Sequence, residues 1–164
     1  MKNVLELLER TAARLPRQTA FADQQCSYDY QTVVNIAGSV GSALAANGDR
    51  NCPVAVLMER GAPCLVTLMG VLYSGNFYVV LDPEMPAERV NKILRTLQPT
   101  ALICDEAHKD DPAGLDYDGK VYSAEALAAG QAQPELLQTV RRRMIDTDPA
   151  YAIFTSGSTG NRSE

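Results

Sequence analysis

Residues 155–160, Thr-Ser-Gly-Ser-Thr-Gly, bring four hydroxyls and two glycines into six positions. The side chains of Thr155, Ser156, Ser158 and Thr159 can each donate and accept hydrogen bonds. Gly157 and Gly160 let the backbone take positive φ and approach a ligand closely. Successive N–H groups in such a turn make an anion-binding nest, and phosphate is the natural guest. A plain Ser/Gly turn is the alternative, because both residues are common in turns. The loop is not a Walker A motif, which needs GxxxxGK followed by Ser or Thr. "GSTGNRS" has the wrong spacing and no lysine. Nor is it GxGxxG.

The other residues able to do chemistry are sparse. Cys26, Cys52, Cys64 and Cys104 are never at CxxC spacing, and the single histidine, His108, sits in the charged stretch "DEAHKDDPAG". That spacing argues against zinc and for reduced cysteines in or near a core. Arg141, Arg142 and Arg143 form a basic run, read as a solvated helix face. Net charge is −5. Clustered Lys and Arg would be needed for phosphate backbones or anionic lipid, so the balance argues against a general nucleic-acid or membrane binder. It leaves room for a local anion site made from backbone N–H groups.

The elements that would position the loop follow from hydrophobic periodicity. Residues 3–15 predict an amphipathic helix through Val4, Leu7, Leu8, Ala12 and Leu15, ended by Pro16. Residues 29–46 predict a second, with Val33, Ile36, Ala37, Val40 and Leu44 on its stripe and Gly48 beyond it. Then the rhythm changes to strand 53–58, helix 62–75, strand 77–82, helix 86–98 and strand 100–105. Pro86 opens the last helix, and Val90, Ile93, Leu94 and Leu97 share a face. Alternating strands and helices predict an α/β fold with a largely parallel sheet flanked by helices. The strands are almost continuously apolar, as they must be when both faces are covered. Residues 106–120 read as a surface loop. Short helices follow at 123–130 and 134–145, and a last strand, 150–156, runs into the Thr/Ser/Gly loop.

The chain has 164 residues, 46% of them hydrophobic and 21% charged. One α/β domain over residues 1–164 is the expectation, with a real core. No apolar run approaches the ~18 residues that span a bilayer. The N-terminal stretch "MKNVLELLERTAARLP" lacks the apolar centre of a signal peptide, and the expected location is cytoplasmic.

Three segments carry a family resemblance. "DPAYAIFTSGSTGN" resembles the phosphate-loop motif of the adenylate-forming superfamily of adenylation domains and acyl-CoA ligases. "LYSGNFYVVLDPEMPAERV" (72–90) is similar to that family's "LKAGxAYVPLDPxxPxERI" segment, through Leu72, Gly75, Tyr78, Val79, Leu81, Asp82, Pro83, Pro86, Glu88 and Arg89. "DYQTVVNIAGSVGSAL" (29–44) is similar to "TYxELxxxAxxLAxxL", through Tyr30, Val33, Ala37 and Leu44. Order and spacing agree over almost the whole chain. The LDPxxPxERV form points to the amino-acid-activating branch, nonribosomal peptide synthetase adenylation domains or D-alanine–carrier-protein ligases.

The resemblance implies the fold of the superfamily's N-terminal subdomain, incomplete at its C-terminal side, with Thr155, Ser156, Gly157, Ser158, Thr159 and Gly160 as its phosphate loop. It implies a parent enzyme that uses ATP and Mg2+ to turn an amino acid or other carboxylate into an acyl-adenylate plus pyrophosphate. That enzyme would then pass the acyl group to a pantetheine thiol on a carrier protein. The residues that match motifs elsewhere, Asp82, Glu88, Arg89, Tyr30 and Tyr78, read as structural. The match departs at Thr32 and Val80, and after Gly160, where Asn161, Arg162, Ser163 and Glu164 replace the family's basic continuation. The family's carboxylate pocket and later catalytic residues lie beyond this loop. The expectation is a truncated adenylation domain, inactive by itself. The alternative is a non-catalytic interaction or self-association module derived from one.

Overall fold

The two middle strands of the sheet are apolar on both faces. In β3 (Pro53–Leu57) the side chains of Val54 and Val56 point one way, those of Ala55 and Leu57 the other, and all four are buried. In β5 (Ala101–Cys104) Ala101 and Ile103 alternate with Leu102 and Cys104, again all buried. A strand of this kind needs a helical layer on each side. The computed structural model, which describes residues 3–154, supplies both.

The element order is α1 (Val4–Arg14), β1 (Thr19–Ala22), β2 (Ser27–Asp29), α2 (Tyr30–Ala45), β3, α3 (Ala62–Tyr73), β4 (Phe77–Leu81), α4 (Ala87–Leu97), β5, β6 (Lys120–Ser123), α5 (Ala124–Ala128) and α6 (Pro134–Arg143). The main sheet is parallel, in the order β4-β3-β5-β6. Val54 pairs with Tyr78 on one side and Ala101 on the other. The chain moves outward from β3 to β4, then crosses back over β3 to β5. Helix α4 covers one face through Val90, Ile93 and Leu94. Helices α2, α3 and α5 cover the other through Val40, Leu44, Leu68, Val71, Ala124 and Leu127.

Local sequence explains the ends of these helices. The Asn3 side chain accepts from the Leu5 N–H at 3.0 Å, that of Asp29 from Thr32 N–H at 2.8 Å, and that of Ser123 from Ala126 N–H at 3.1 Å. Each is an N-cap that satisfies an orphan donor. Past α2 and α3, Gly48 and Gly75 take φ of 81° and 79°, the left-handed geometry that glycine tolerates best.

Four expectations are corrected. Helix α1 buries Leu5, Leu8 and Ala12, while Val4, Leu7 and Leu15 are 44–48% exposed. The stripe at 5, 8 and 12 has helical spacing too, and packing against α2 and α3 selected it. Residues 19–28, assigned to no element, and Asp29, expected to begin the second helix, form the antiparallel β1–β2 hairpin. Residues 106–114 wind into two 3-10 turns, and β6 at 120–123 extends the sheet beyond the expected loop. The final strand is reduced, within the described residues, to one parallel bridge between Tyr78 and Tyr151.

Helices α2 and α3 approach so closely that small residues are required. A Cβ on Gly41 would stand 2.4 Å from the Tyr73 Cβ, and one on Gly70 2.5 Å from the Val40 Cβ. Gly41→Ala should therefore destabilise the chain by about 1–3 kcal/mol through overpacking. Urea unfolding checks this, and a midpoint equal to that of the unmodified chain would refute the close contact.

Candidate functional site

Residues 150–154, which lead into the Thr/Ser/Gly loop, lie against the β4 edge. The Tyr78 N–H donates to the Ala150 carbonyl at 3.2 Å, and the Ala152 N–H donates to the Tyr78 carbonyl at 3.1 Å. The Tyr78 and Tyr151 rings stack at 6.0 Å. The bridge is parallel, so the chain runs toward the carboxyl ends of the strands. In open α/β sheets that end holds ligands. Residues 155–160 themselves, the whole of the sequence-predicted phosphate loop, lie outside the described residues.

A cleft of about 590 Å3 opens beside this segment, lined mainly by β4 residues, Asp82, Pro83, Met85 and Tyr151–Phe154. It is largely apolar, and among the described residues its one cation is engaged: Arg60 Nη2 is 2.6 Å from Asp82 Oδ2. Asp82 Oδ1 accepts the Glu84 N–H at 3.0 Å. The Glu84 N–H, with Arg60 in support, holds the Asp82 carboxyl below its ordinary range. Asp82 thus ties the end of β4 to the loop after β3, the structural role its motif position suggested. Glu88 stands in the first turn of α4, where an acid favours the helix dipole. Arg89 is exposed. Tyr30 and Tyr78 pack against the core formed by α1, α2 and α3.

A second cavity, of about 630 Å3, lies at the carboxyl ends of β3 and β5, where the strand order reverses direction. Asp23, Glu59, Asp105 and Glu125 line it. Asp23, Asp105 and Glu125 accept backbone N–H groups. Asp23 accepts from the N–H groups of Gln25, Cys26 and Ala62 at 2.8, 2.8 and 2.7 Å. The Ala62 bond, the largest cause, and the Cys26 and Gln25 bonds lower its pKa to about 2. Asp23 thereby couples the β1–β2 hairpin to the start of α3. Asp105 accepts the Glu59 N–H at 2.8 Å and lies 2.6 Å from His108 Nδ1. His108 Nε2 is 3.6 Å from Glu59 Oε1. The Asp105 hydrogen bond raises the His108 pKa above its ordinary value.

Sequence reasoning missed Asp23, Asp105 and Asp148 as fasteners. For Asp23 and Asp105 the one available signal was an Asp two or three residues before the N–H it caps; Asp148 accepts instead from the Ile145 N–H, three residues earlier. It also misread Arg141. Far from standing in solvent, this guanidinium pairs with Glu9 at 2.9 Å and lies 5.5 Å over the Tyr73 ring. Tyr73 Oη donates to the same carboxylate at 2.9 Å, so α1, α3 and α6 meet at Glu9. Arg142 and Arg143 are exposed, as the run was read; Arg141 alone faces an acid on another helix, which periodicity within α6 cannot reveal.

The described geometry is that of a parallel α/β unit whose last segment is delivered to the ligand-binding end of its sheet. Comparison with known proteins gives this a family. The chain belongs to the AMP-binding enzyme family, whose model matches residues 8–162. Pyochelin synthetase PchF of Pseudomonas aeruginosa is 35% identical over 146 residues, which is 88% of this chain and 8% of that protein. In fold, the chain is similar to the nonribosomal peptide synthetase FmoA3 in its AMPPNP-bound form, with a TM-score of 0.75 at 23% identity, covering 92% of this chain and 16% of that one. It is also similar to the Klebsiella oxytoca NpsA N-terminal subdomain in complex with 3-hydroxybenzoyl-AMSN, with a TM-score of 0.74 at 20% identity, covering 98% of this chain and 39% of that one. The chain therefore spans a small part of its relatives' length. Among the described residues no helix is long and apolar enough to cross a membrane.

The Asp105–His108–Glu59 cluster carries a pH dependence of definite sign. A raised folded pKa means its stabilisation is full below the unfolded value of about 6.5 and is lost as pH rises through the higher folded value. His108→Gln should lower thermal stability more at pH 5.5 than at pH 8.5. A deficit independent of pH would show that His108 is not charged in the folded state.

Proposed function

We propose that this chain supplies the N-terminal α/β unit and phosphate loop of an amino-acid adenylation domain, with residues 1–164 forming one unit. The observation that carries the reading is the parallel seating of residues 150–152 on the β4 edge. It points the described chain, up to Phe154, toward the ligand end of the sheet, within a family match that runs to residue 162. The AMPPNP-bound state of FmoA3 supports ATP as the nucleotide. The likeness to a nonribosomal peptide synthetase supports an amino acid or similar carboxylate as acyl donor and a carrier-protein thiol as acceptor. The expected setting is cytoplasmic, and the acidic charge argues against nucleic-acid partners.

In the proposed reaction a carboxylate oxygen attacks the α-phosphorus of ATP. An acyl–O–P bond forms, the α–β phosphoanhydride breaks and pyrophosphate leaves with its electron pair. The pantetheine thiol then attacks the acyl carbon and AMP departs. Charge grows on the pyrophosphate as it leaves, so preorganised donors around it lower the barrier. Thr155, Ser156, Gly157, Ser158, Thr159 and Gly160 are the donors this chain offers, through N–H and O–H groups without bulk. Magnesium would share that charge. Among the described residues no group of three or more His, Cys, Asp or Glu is placed to hold a metal.

A second reading has its own observation. Val80 is 43% exposed, Tyr151 57% and Ile153 73%; they lie on β4 and on the segment 149–154 seated on its edge, neither of which carries a charged residue. Uncharged edges invite pairing with another strand. This reading makes the chain a self-association module, and it requires sedimentation that depends on concentration; a monomer at every accessible concentration overturns it.

The leading reading is tested with inorganic tripolyphosphate and magnesium, followed by phosphorus NMR. The chain should broaden the tripolyphosphate lines, and Gly157→Val should abolish the effect by closing the loop to close approach. No broadening at millimolar ligand overturns the phosphate assignment. The chain alone should show no ATP–pyrophosphate exchange, and robust exchange would overturn its dependence on further parts of an adenylation domain.

A further inference from the structure

The segment entering the phosphate loop is held to the sheet by few contacts of its own. Two backbone hydrogen bonds and one ring stack join residues 150–152 to β4, Ala152 and Phe154 pack on the core beside it, and one bridge is its whole ladder among the described residues. A parallel strand advances about 3.3 Å per residue. A slip of one residue would turn its side chains to the other face and displace whatever follows. A contact upstream must therefore set the register.

Asp148 is in that place. Its Oδ2 accepts from Arg50 Nη2 at 3.0 Å and from the Ile145 N–H at 3.0 Å. Its Oδ1 accepts from Asn51 Nδ2 at 3.0 Å. The side chain is only 10% exposed. Burial pushes its carboxyl pKa up, but the Ile145 N–H, the Asn51 amide and Arg50 outweigh that and hold it below the ordinary value. The carboxylate therefore stays charged at neutral pH.

Its partners are tied in turn to the start of the sheet. Arg50 Nη2 also donates to the Arg143 carbonyl at the end of α6. Asn51 takes φ of 52°, and its N–H donates to the Gly75 carbonyl at 2.9 Å, in the turn before β4. The next N–H, that of Cys52, donates to the Asn76 side chain at 3.1 Å. One carboxylate thus refers the incoming segment to the starts of both β3 and β4. Pro149 lies between this anchor and the Tyr151 bridge, and its ring fixes φ and restricts the residue before it. Little slack remains between Asp148 and the sheet.

We propose that Asp148, held by Arg50 and Asn51, is a positioning residue: it sets the register of residues 150–154 on β4, the segment that leads into the proposed phosphate loop. The structural half of this inference stands on the geometry alone; the functional half rests on the phosphate-holding reading above. Asp148 acts through the strand and touches no phosphate.

The test uses the whole 164-residue chain. Amide hydrogen exchange on Asp148→Ala should be faster at the Ala152 N–H by roughly tenfold or more, with the β5 amides unchanged. Asn51→Gly keeps the left-handed backbone accessible and removes one hydrogen bond to Asp148; it should accelerate Ala152 less, and it decides the matter if the alanine variant does not fold. Unchanged exchange at Ala152 overturns the proposal. So does equal acceleration at Ala152 and in β5, which would mark Asp148 as a general stabiliser. A second arm titrates tripolyphosphate. Asp148→Ala should weaken its binding roughly tenfold or more, because displaced donors lose their aim. Asp148→Asn, which keeps one acceptor oxygen, should fall between. Equal binding by all three chains overturns the positioning role. An unmodified chain that binds no tripolyphosphate overturns the phosphate reading instead, and exchange at Ala152 then decides the register claim by itself.

Discussion

The architecture depends on the double burial of β3 and β5. Val54 and Val56 face one helical layer while Ala55 and Leu57 face the other, and the same alternation recurs from Ala101 to Cys104. Two apolar faces on one strand cannot be left to water, at roughly 25 cal/mol per Å2 of apolar surface. The chain must therefore place helices on both sides, which the crossings β3–α3–β4 and β4–α4–β5 do. The reversal of direction between them creates the carboxyl-end cavity between β3 and β5. On the thicker side three helices share the space, and α2 and α3 fit only because Gly41 and Gly70 bring their backbones together.

Around this core, aspartates do the joining. Asp23 binds the hairpin to α3, Asp82 binds β4 to the loop after β3, Asp105 binds the carboxyl ends of β3 and β5, and Asp148 binds the last segment to the loop before β3. Each accepts at least one backbone N–H as well as its other partners. Hydrogen bonds to a charged acceptor are about twice as strong as neutral ones, and a carboxylate can accept several at once. A chain with net charge −5 thus uses much of its acidity as internal fastening at both ends of the sheet. Its proposed anion site relies on backbone N–H and hydroxyl donors, in keeping with a composition poor in clustered cations.

Much of this was legible in the sequence. The strands at 53–58, 77–82 and 100–105, the helices between them and the stripe Val33, Ala37, Val40 and Leu44 all follow from local periodicity, because burial on one or both faces imposes a period that the residue order must keep. The family resemblance followed from three motifs whose described residues lie in α2, the end of α3, β4, the start of α4 and the segment bridged to β4. The proposed phosphate loop is legible only as a motif, since residues 155–160 lie outside the described structure.

What the sequence by itself determined, then, is the alternation of elements and the residue types offered for phosphate. The tertiary structure alone decided which of two apolar stripes α1 buries, that Thr19–Ala22 and Ser27–Asp29 pair, that Arg141 meets Glu9, and that Asp148 anchors to Arg50 and Asn51. The reason is range. Periodicity reports a segment's relation to a surface, and it can be read within a dozen residues. The partners of Arg141 and Asp148 lie 132 and 98 positions away. Only packing of the sheet and its two helical layers brings them into contact.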